Sequence, residues 1–345
     1  MMILKKNKKG ITLPFHWIFI LVAGGLILAF FFSIAAKQKA LSDDKLALSL
    51  VQSVDVVFEM SESSEGTSQF IPLPKKGISF VCSKGCDCYI QTGSARKSFG
   101  SNIIFSEKNI DSAQAVVWSL PWTVPFRAAN LLYVTDPETR KIVVYNAEDK
   151  MSVDILRKLQ DILPDNIIFE FYTLAQFNAV SFDGSDFTKI FFISSLQPFI
   201  PQSLQGKNVD VVGINPVNIN FYDVSDGVVV SKGVMSYPGD ISWVLAAIFS
   251  ADYDMFVCGI KSALRRLNNV ADVFFHRSEA LAEESERLGL VCFYPSDSIK
   301  QLIVEDINAL DDVALFNKII SINRISGDLK NNNDNLIQSS CPELF

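Results

Sequence analysis

The chain has 345 residues, 31 of them lysine or arginine against 38 aspartate or glutamate, a formal net charge of −7 and 49% hydrophobic residues. That is enough apolar material for a hydrophobic core without reliance on disulfides, and the acidic balance argues against nucleic acid as a partner, since phosphate recognition needs a basic footprint. With only two histidines, His16 and His276, most common catalytic and metal-ligating arrangements have no imidazole to use.

Residues 1–13 form a basic tail carrying Lys5, Lys6, Lys8 and Lys9. From Phe15 to Ala36 there are 22 residues without a charge, about 33 Å of helix at ~1.5 Å per residue, against a hydrocarbon core of about 30 Å. An uncharged stretch apolar on every face, with Trp17 near its start, predicts a transmembrane helix over 14–36 whose partner is the lipid bilayer. Lysines before the span carry no compensating acid, so the positive-inside rule places the N-terminus in the cytoplasm and the remainder outside the cell membrane. Seven basic and two acidic residues precede residue 46, which leaves 24 against 36 and a net charge of −12 for the outer part. Gly25, Ala29 and Ser33 recur every four residues within the span, a stripe of small side chains that suits a contact with a second membrane helix or self-association.

Beyond the span, Leu46, Leu50, Val54 and Phe58 fall on one helical face and predict a stalk over 37–60. A polar linker follows over 61–76. Residues 77–238 read as a mixed α/β domain, β-rich at first, with strands at 77–82, 116–118, 131–135 and 141–145. A helix N-capped by Ser152 precedes Pro164, and apolar runs at 166–172, 189–194 and 209–214 read as strands buried on both faces. A hairpin is expected through 220–223 and 227–231. The region 239–345 reads as helical, with helices at 240–250, 254–287 and 298–308 and a last one from Asp311.

Six cysteines, Cys82, Cys86, Cys88, Cys258, Cys292 and Cys341, all follow the span, where disulfides are expected. The close set Cys82, Cys86 and Cys88 suits disulfides that tie a hairpin loop to itself and to a distant segment; a zinc site completed by Cys292 or His276, or a redox centre, are the other readings. Val257, Ile260, Leu264, Leu267, Ala271, Phe274, Ser278 and Leu281 are spaced as a heptad seam, and Leu315, Ile319, Ile322, Ser326, Leu329, Asn333 and Leu336 continue the alternation in the last helix. Two helices of equal length folded as an antiparallel hairpin would bring Cys258 to Cys341 and leave Cys292 to the Cys82, Cys86, Cys88 set. The expected fold class is thus mixed α/β, with an N-terminal transmembrane helix, a β-rich then α/β domain and a C-terminal helical hairpin tied by a disulfide.

Phosphate-cradling glycine loops and a Gly-x-Ser-x-Gly turn are absent from the sequence. No catalytic, cofactor-binding or metal-binding residue is assigned; a carboxylate hydrolase using Asp183 or Asp186 is one alternative. Residues 8–13, Lys-Lys-Gly-Ile-Thr-Leu, resemble the type IV prepilin pattern, which implies cleavage after Gly10, although Pro14 and Phe15 depart from it. The membrane approach 14–19, the stretch 118–122 with Pro125 and Phe126, the helix start at Cys258 and the ending Cys341-Pro-Glu-Leu-Phe345 resemble archaeal single-pass membrane proteins with an N-terminal anchor, a group without a known activity. The resemblance implies the same anchored layout. The expected function is a membrane-anchored extracytoplasmic protein, a structural or binding component of the cell envelope.

Overall fold

A computed structural model describes residues 22–34, 37–38, 66–73, 77–93, 95–182, 187–225, 227–236 and 240–345. The basic tail, the two ends of the expected span, nearly all of the expected stalk, Gly10, Asp183 and Asp186 lie outside the described residues. Residues 22–34 form helix α1, and Val22, Leu26, Leu28, Phe30, Phe31 and Phe32 on it stand exposed on all sides. It extends for about 20 Å. Among the described residues no helix is long and apolar enough to cross a membrane.

Fourteen strands build three sheets among the described residues. The first has the order β1-β7-β8-β5, from Ser68–Pro72, Gln114–Thr123, Arg127–Thr135 and Ile104–Ser106. The second is an antiparallel sheet, β4-β3-β2-β6, from Ala95–Ser98, Cys88–Thr92, Ile78–Cys82 and Asn109–Ile110. The third runs β10-β9-β11-β12-β13-β14, from Phe169–Thr173, Arg140–Tyr145, Phe187–Ile193, Asn208–Ile214, Asn218–Ser225 and Val228–Ser236. Its first four strands are mutually parallel, and β13 and β14 continue it as an antiparallel hairpin.

Alternation along the strands decides the layering. Val143, Phe191, Ile193, Val212 and Ile214 of the third sheet share one core with Val116, Trp118, Phe105 and Tyr133 of the first, and helices α2 (Lys150–Ile162), α4 (Ile241–Phe249) and α5 (Tyr253–Arg287) fill the space between. On the opposite face Ile142, Val144, Ile190, Phe192 and Val211 pack under α3 (Leu174–Ala179) and the short helix Gln202–Leu204. Helices thus lie on both faces of the parallel strands, the doubly wound arrangement, and strands covered twice read as unbroken apolar runs, as expected for β9, β11 and β12. Helix α4 is buried from Ser242 to Phe249, which its sequence, apolar on every face, requires. Ser152 is not the N-cap of α2: Asp149 accepts from Met151 N, while the Ser152 hydroxyl bonds Ile193 O and Asn146 N.

The C-terminal region departs from the expected hairpin. Helix α7 (Asp312–Gln338) runs parallel to α5, because segment 288–311 first travels back along α5. Asn268 exchanges hydrogen bonds with Val304 at 2.7 and 2.9 Å, Arg265 reaches Asn308, and Lys261 donates to Leu310 O at 2.7 Å. The expected helix over 298–308 is confined to α6 (Ser296–Lys300), and the rest of the connection runs on in turns along α5. Ile299, Leu302, Val304 and Ile307 of this return segment pack into the same core as both long helices, which fills the place an antiparallel partner would have taken. The expected disulfide Cys258–Cys341 is accordingly absent: parallel helices place those two residues at opposite ends. Cys292–Cys341 joins the two C-terminal ends, with Cα atoms 5.9 Å apart, and Cys258 pairs with Cys86.

Candidate functional site

All six cysteines are in disulfides, Cys82–Cys88, Cys86–Cys258 and Cys292–Cys341. Cys82 and Cys88 face one another across the β2–β3 pair, and the loop between them sends Cys86 to the second turn of α5. The close cysteines therefore tie a hairpin to itself and to a distant segment, the segment being α5 rather than the stretch around Cys292. Among the described residues no group of His, Cys, Asp and Glu is arranged to hold a metal ion. His276 is exposed on α5, with Nδ1 3.2 Å from Glu279 and Nε2 3.9 Å from Asp272. Gly25, Ala29 and Ser33 are exposed on α1, and a side chain added at Gly25 would meet nothing within 4 Å.

What sequence reading missed is a row of buried charges. The registers β9–β11 and β11–β12 set Lys141, Lys189 and Asp210 side by side at the N-terminal ends of three parallel strands. They lie on the sheet face that packs against the central helices, where Val143, Phe191 and Val212 follow two residues later. Lys141 is ion-paired with buried Glu107 at 3.3 Å and donates to Asp136 O at 2.9 Å and Thr139 O at 3.1 Å. Glu107 also accepts from the Thr135 hydroxyl, from the Thr139 hydroxyl at 2.7 Å and from Asp136 N at 3.4 Å. Lys189 donates to Ser250 O, a buried carbonyl at the C-cap of α4. Hydrogen bonds thus satisfy Lys141, Glu107 and Lys189, which is how a buried ion survives.

Burial pushes the Lys189 ammonium below its ordinary pKa, against the opposing pull of Asp210 and Glu107, and lowers Lys141 against the pull of Glu107. Burial raises the Asp210 carboxyl while Lys189 and Lys232 oppose the rise. The space among Lys189, Asp210, Asp223, Lys232 and Asp252 is a cavity of about 30 Å³, room for a water and not for an organic substrate. The row joins sheet to helix, through Lys189 of β11 and the end of α4.

Two larger clefts flank it at the N-terminal turns of α5. One, of about 290 Å³, is lined by Lys84, Lys232, Lys261, Asp254 and Asp312 around Tyr253. The Tyr253 hydroxyl donates to Val234 O at 3.2 Å, and burial and nearby Asp312 raise its pKa. The other, of about 90 Å³, lies among Cys82, Cys86, Cys88, Cys258, Asp87 and Arg265. The start of α5 is thus where the first and third sheets, the disulfide-tied loop and α7 converge. The signal available in the sequence was Lys141, Lys189 and Asp210, charges at like positions in three otherwise apolar strands. No protein-family model, curated protein or solved structure matches this chain.

Proposed function

We propose that the chain is a membrane-anchored extracytoplasmic protein, a structural or binding component of the cell envelope. The observation that carries this reading is α1: its leucines and phenylalanines stand exposed around the whole helix, whereas β7, β8, α4 and the start of α5 bury theirs. Water is a poor surrounding for such a helix and lipid a good one. The run from Phe15 to Ala36, 22 residues without a charge, has the length that a spanning helix needs. Three disulfides on the C-terminal side of it suit an oxidising compartment outside the cytoplasm. The resemblance to archaeal single-pass membrane proteins implies the same layout.

A binding role fits the clefts around the start of α5 better than a catalytic one. They combine lysines and aspartates around Tyr253 on a framework stapled by Cys86–Cys258, charges of both signs that suit a polar ligand. Alkaline carbonate extraction of the native membrane, followed by alkylation without reductant, tests the reading. The chain is expected to stay with the membrane and all six cysteines to escape alkylation. Release into the supernatant contradicts the anchor, and alkylated cysteines contradict the compartment.

A further inference from the structure

Helix α5 ends in a loop that exposes what soluble surfaces ordinarily cover. Leu288 is 58% exposed, Leu290 46%, Val291 100% and Phe293 72%, four large apolar side chains within six residues. The loop is held in shape. Gly289 takes a φ of +71°, Leu290 N donates to Ser285 O at 2.8 Å and Gly289 N to Glu286 O at 3.0 Å, the Schellman closure of a helix. Such a closure ordinarily seats its last apolar residue on the preceding turn, but the position facing Leu290 is Ser285. Helix α7 ends in the same way, with Cys341 N donating to Leu336 O at 2.9 Å and Ser340 N to Ile337 O at 3.1 Å. Cys292–Cys341 then locks the two ends together between Val291 and Phe293. Ordering the loop has therefore been done by the fold in advance of any contact, which lowers the entropic cost of docking.

The loop also has a direction. Phe126, at the turn between β7 and β8, stacks on Phe274 at 4.2 Å, while Ser106 and Phe105, at the other end of the same sheet, meet Met255 and Phe256 in the first turn of α5. Strand β1 pairs antiparallel with β7, Ser68 opposite Trp118 and Pro72 opposite Gln114, and Gly66 N donates to Ser119 O. The chain coming from α1 consequently reaches the first sheet from the side toward which α5 and α7 project. The apolar loop and the chain's membrane-proximal end share one end of the molecule.

We propose that the loop 288–293 inserts into the surface of the bilayer that holds the chain's own apolar helix, fixing the domain upright with the clefts at the start of α5 turned away from the lipid. This rests on the anchored reading above. The rim sets the lipid chemistry. Glu283 and Glu286 on the last turn of α5, Asp334 near the end of α7 and Glu343 beside Cys341 are exposed, while Arg287 is engaged by Glu284 at 2.8 Å and Arg277 by the Glu343 carbonyl at 3.2 Å. An acidic rim repels anionic headgroups, so insertion is driven by apolar contact with an uncharged or zwitterionic interface and is insensitive to salt.

The test uses the full chain in zwitterionic phosphatidylcholine vesicles carrying a nitroxide quencher on the acyl chain. A tryptophan is added by Val291→Trp, or by Val228→Trp at the β13–β14 turn toward the opposite end of α5, and the wild-type emission is subtracted. Intact Cys292–Cys341 in each variant, shown by non-reducing peptide mapping, establishes that the fold is retained. The emission added at 291 is expected to shift to the blue and to be quenched, as for a group roughly 5–10 Å below the headgroups, and that added at 228 to be unaffected. Equal, weak quenching at both positions overturns the inference. A blue shift at 291 without quenching overturns it too, since the loop then docks on protein. Chain that fails to float with the vesicles removes the anchored reading and this inference together, whereas floating chain with an unquenched position 291 removes the loop inference alone.

Discussion

Single side chains at the start of α5 decide how tightly the layers close. Gly259 lies against Phe105, and a Cβ there would stand 2.2 Å from the ring. Alanine is the better helix former by about 1 kcal/mol, yet overpacking of a filled core costs about 1–3 kcal/mol. The ring and helix are both held by the core, so Gly259→Ala is expected to lower the chemical-denaturation midpoint. Lys141→Ala is expected to cost about 3–5 kcal/mol, because Glu107 is left buried without its counter-ion. Lys141→Met combined with Glu107→Gln should recover most of that loss, a non-additivity that a double-mutant cycle reads directly.

Lys189 carries a pH dependence whose sign follows from its environment. Its folded pKa lies below the ordinary lysine value, so between the two values the unfolded chain holds the extra proton, and stability rises with pH through that window. Tyr133 and Tyr253, whose folded pKa values are raised, act in the opposite direction at high pH. Comparing wild type with Lys189→Met cancels their share. As pH rises toward the ordinary lysine value the difference in unfolding free energy should move in favour of the wild type; a difference independent of pH would show that Lys189 titrates normally.

At the scale of elements, the disulfides differ in what they close. Cys82–Cys88 spans 6 positions, Cys292–Cys341 spans 49 and Cys86–Cys258 spans 172. On the chain-entropy account, Cys86→Ser with Cys258→Ser should cost roughly 5 kcal/mol and Cys82→Ser with Cys88→Ser roughly 2 kcal/mol, an order that denaturation of the two double variants checks. Ser340 sits at φ +56° in the closure of α7, where glycine avoids the left-handed penalty, and Ser340→Gly is expected to stabilise by about 1 kcal/mol.

Much of this level was legible. The apolar runs of β9, β11 and β12, the β13–β14 hairpin, the extent of α5 and the seam from Val257 to Ser278 follow from period and punctuation alone. The direction of α7 did not, because its heptad pattern is equally satisfied by either orientation. What decided it was segment 288–311, read as carrying a helix over 298–308 but folded as the short α6 followed by turns that return along α5, a path that no period in the sequence marks. The Lys141–Lys189–Asp210 row was hidden for a related reason: each charge looks like a strand end in its own segment, and only strand register brings them together.

Over the whole molecule, two ends have different chemistry. The N-terminal turns of α5 gather the buried charge row, the clefts and the Cys86–Cys258 staple, whereas the C-terminal ends of α5 and α7 present the apolar loop and lie on the side from which β1 is reached. The residues from 46 onward carry a net charge of −12 from 24 basic and 36 acidic residues, which on the proposed anchored layout suits a domain standing off an anionic surface. The central claim is that this domain lies outside the membrane that α1 enters. Protease added to intact cells, with detection of the C-terminal residues and of a cytoplasmic marker, tests it most directly. The account predicts loss of the domain while the marker survives; a domain that persists until the membrane is broken would contradict it.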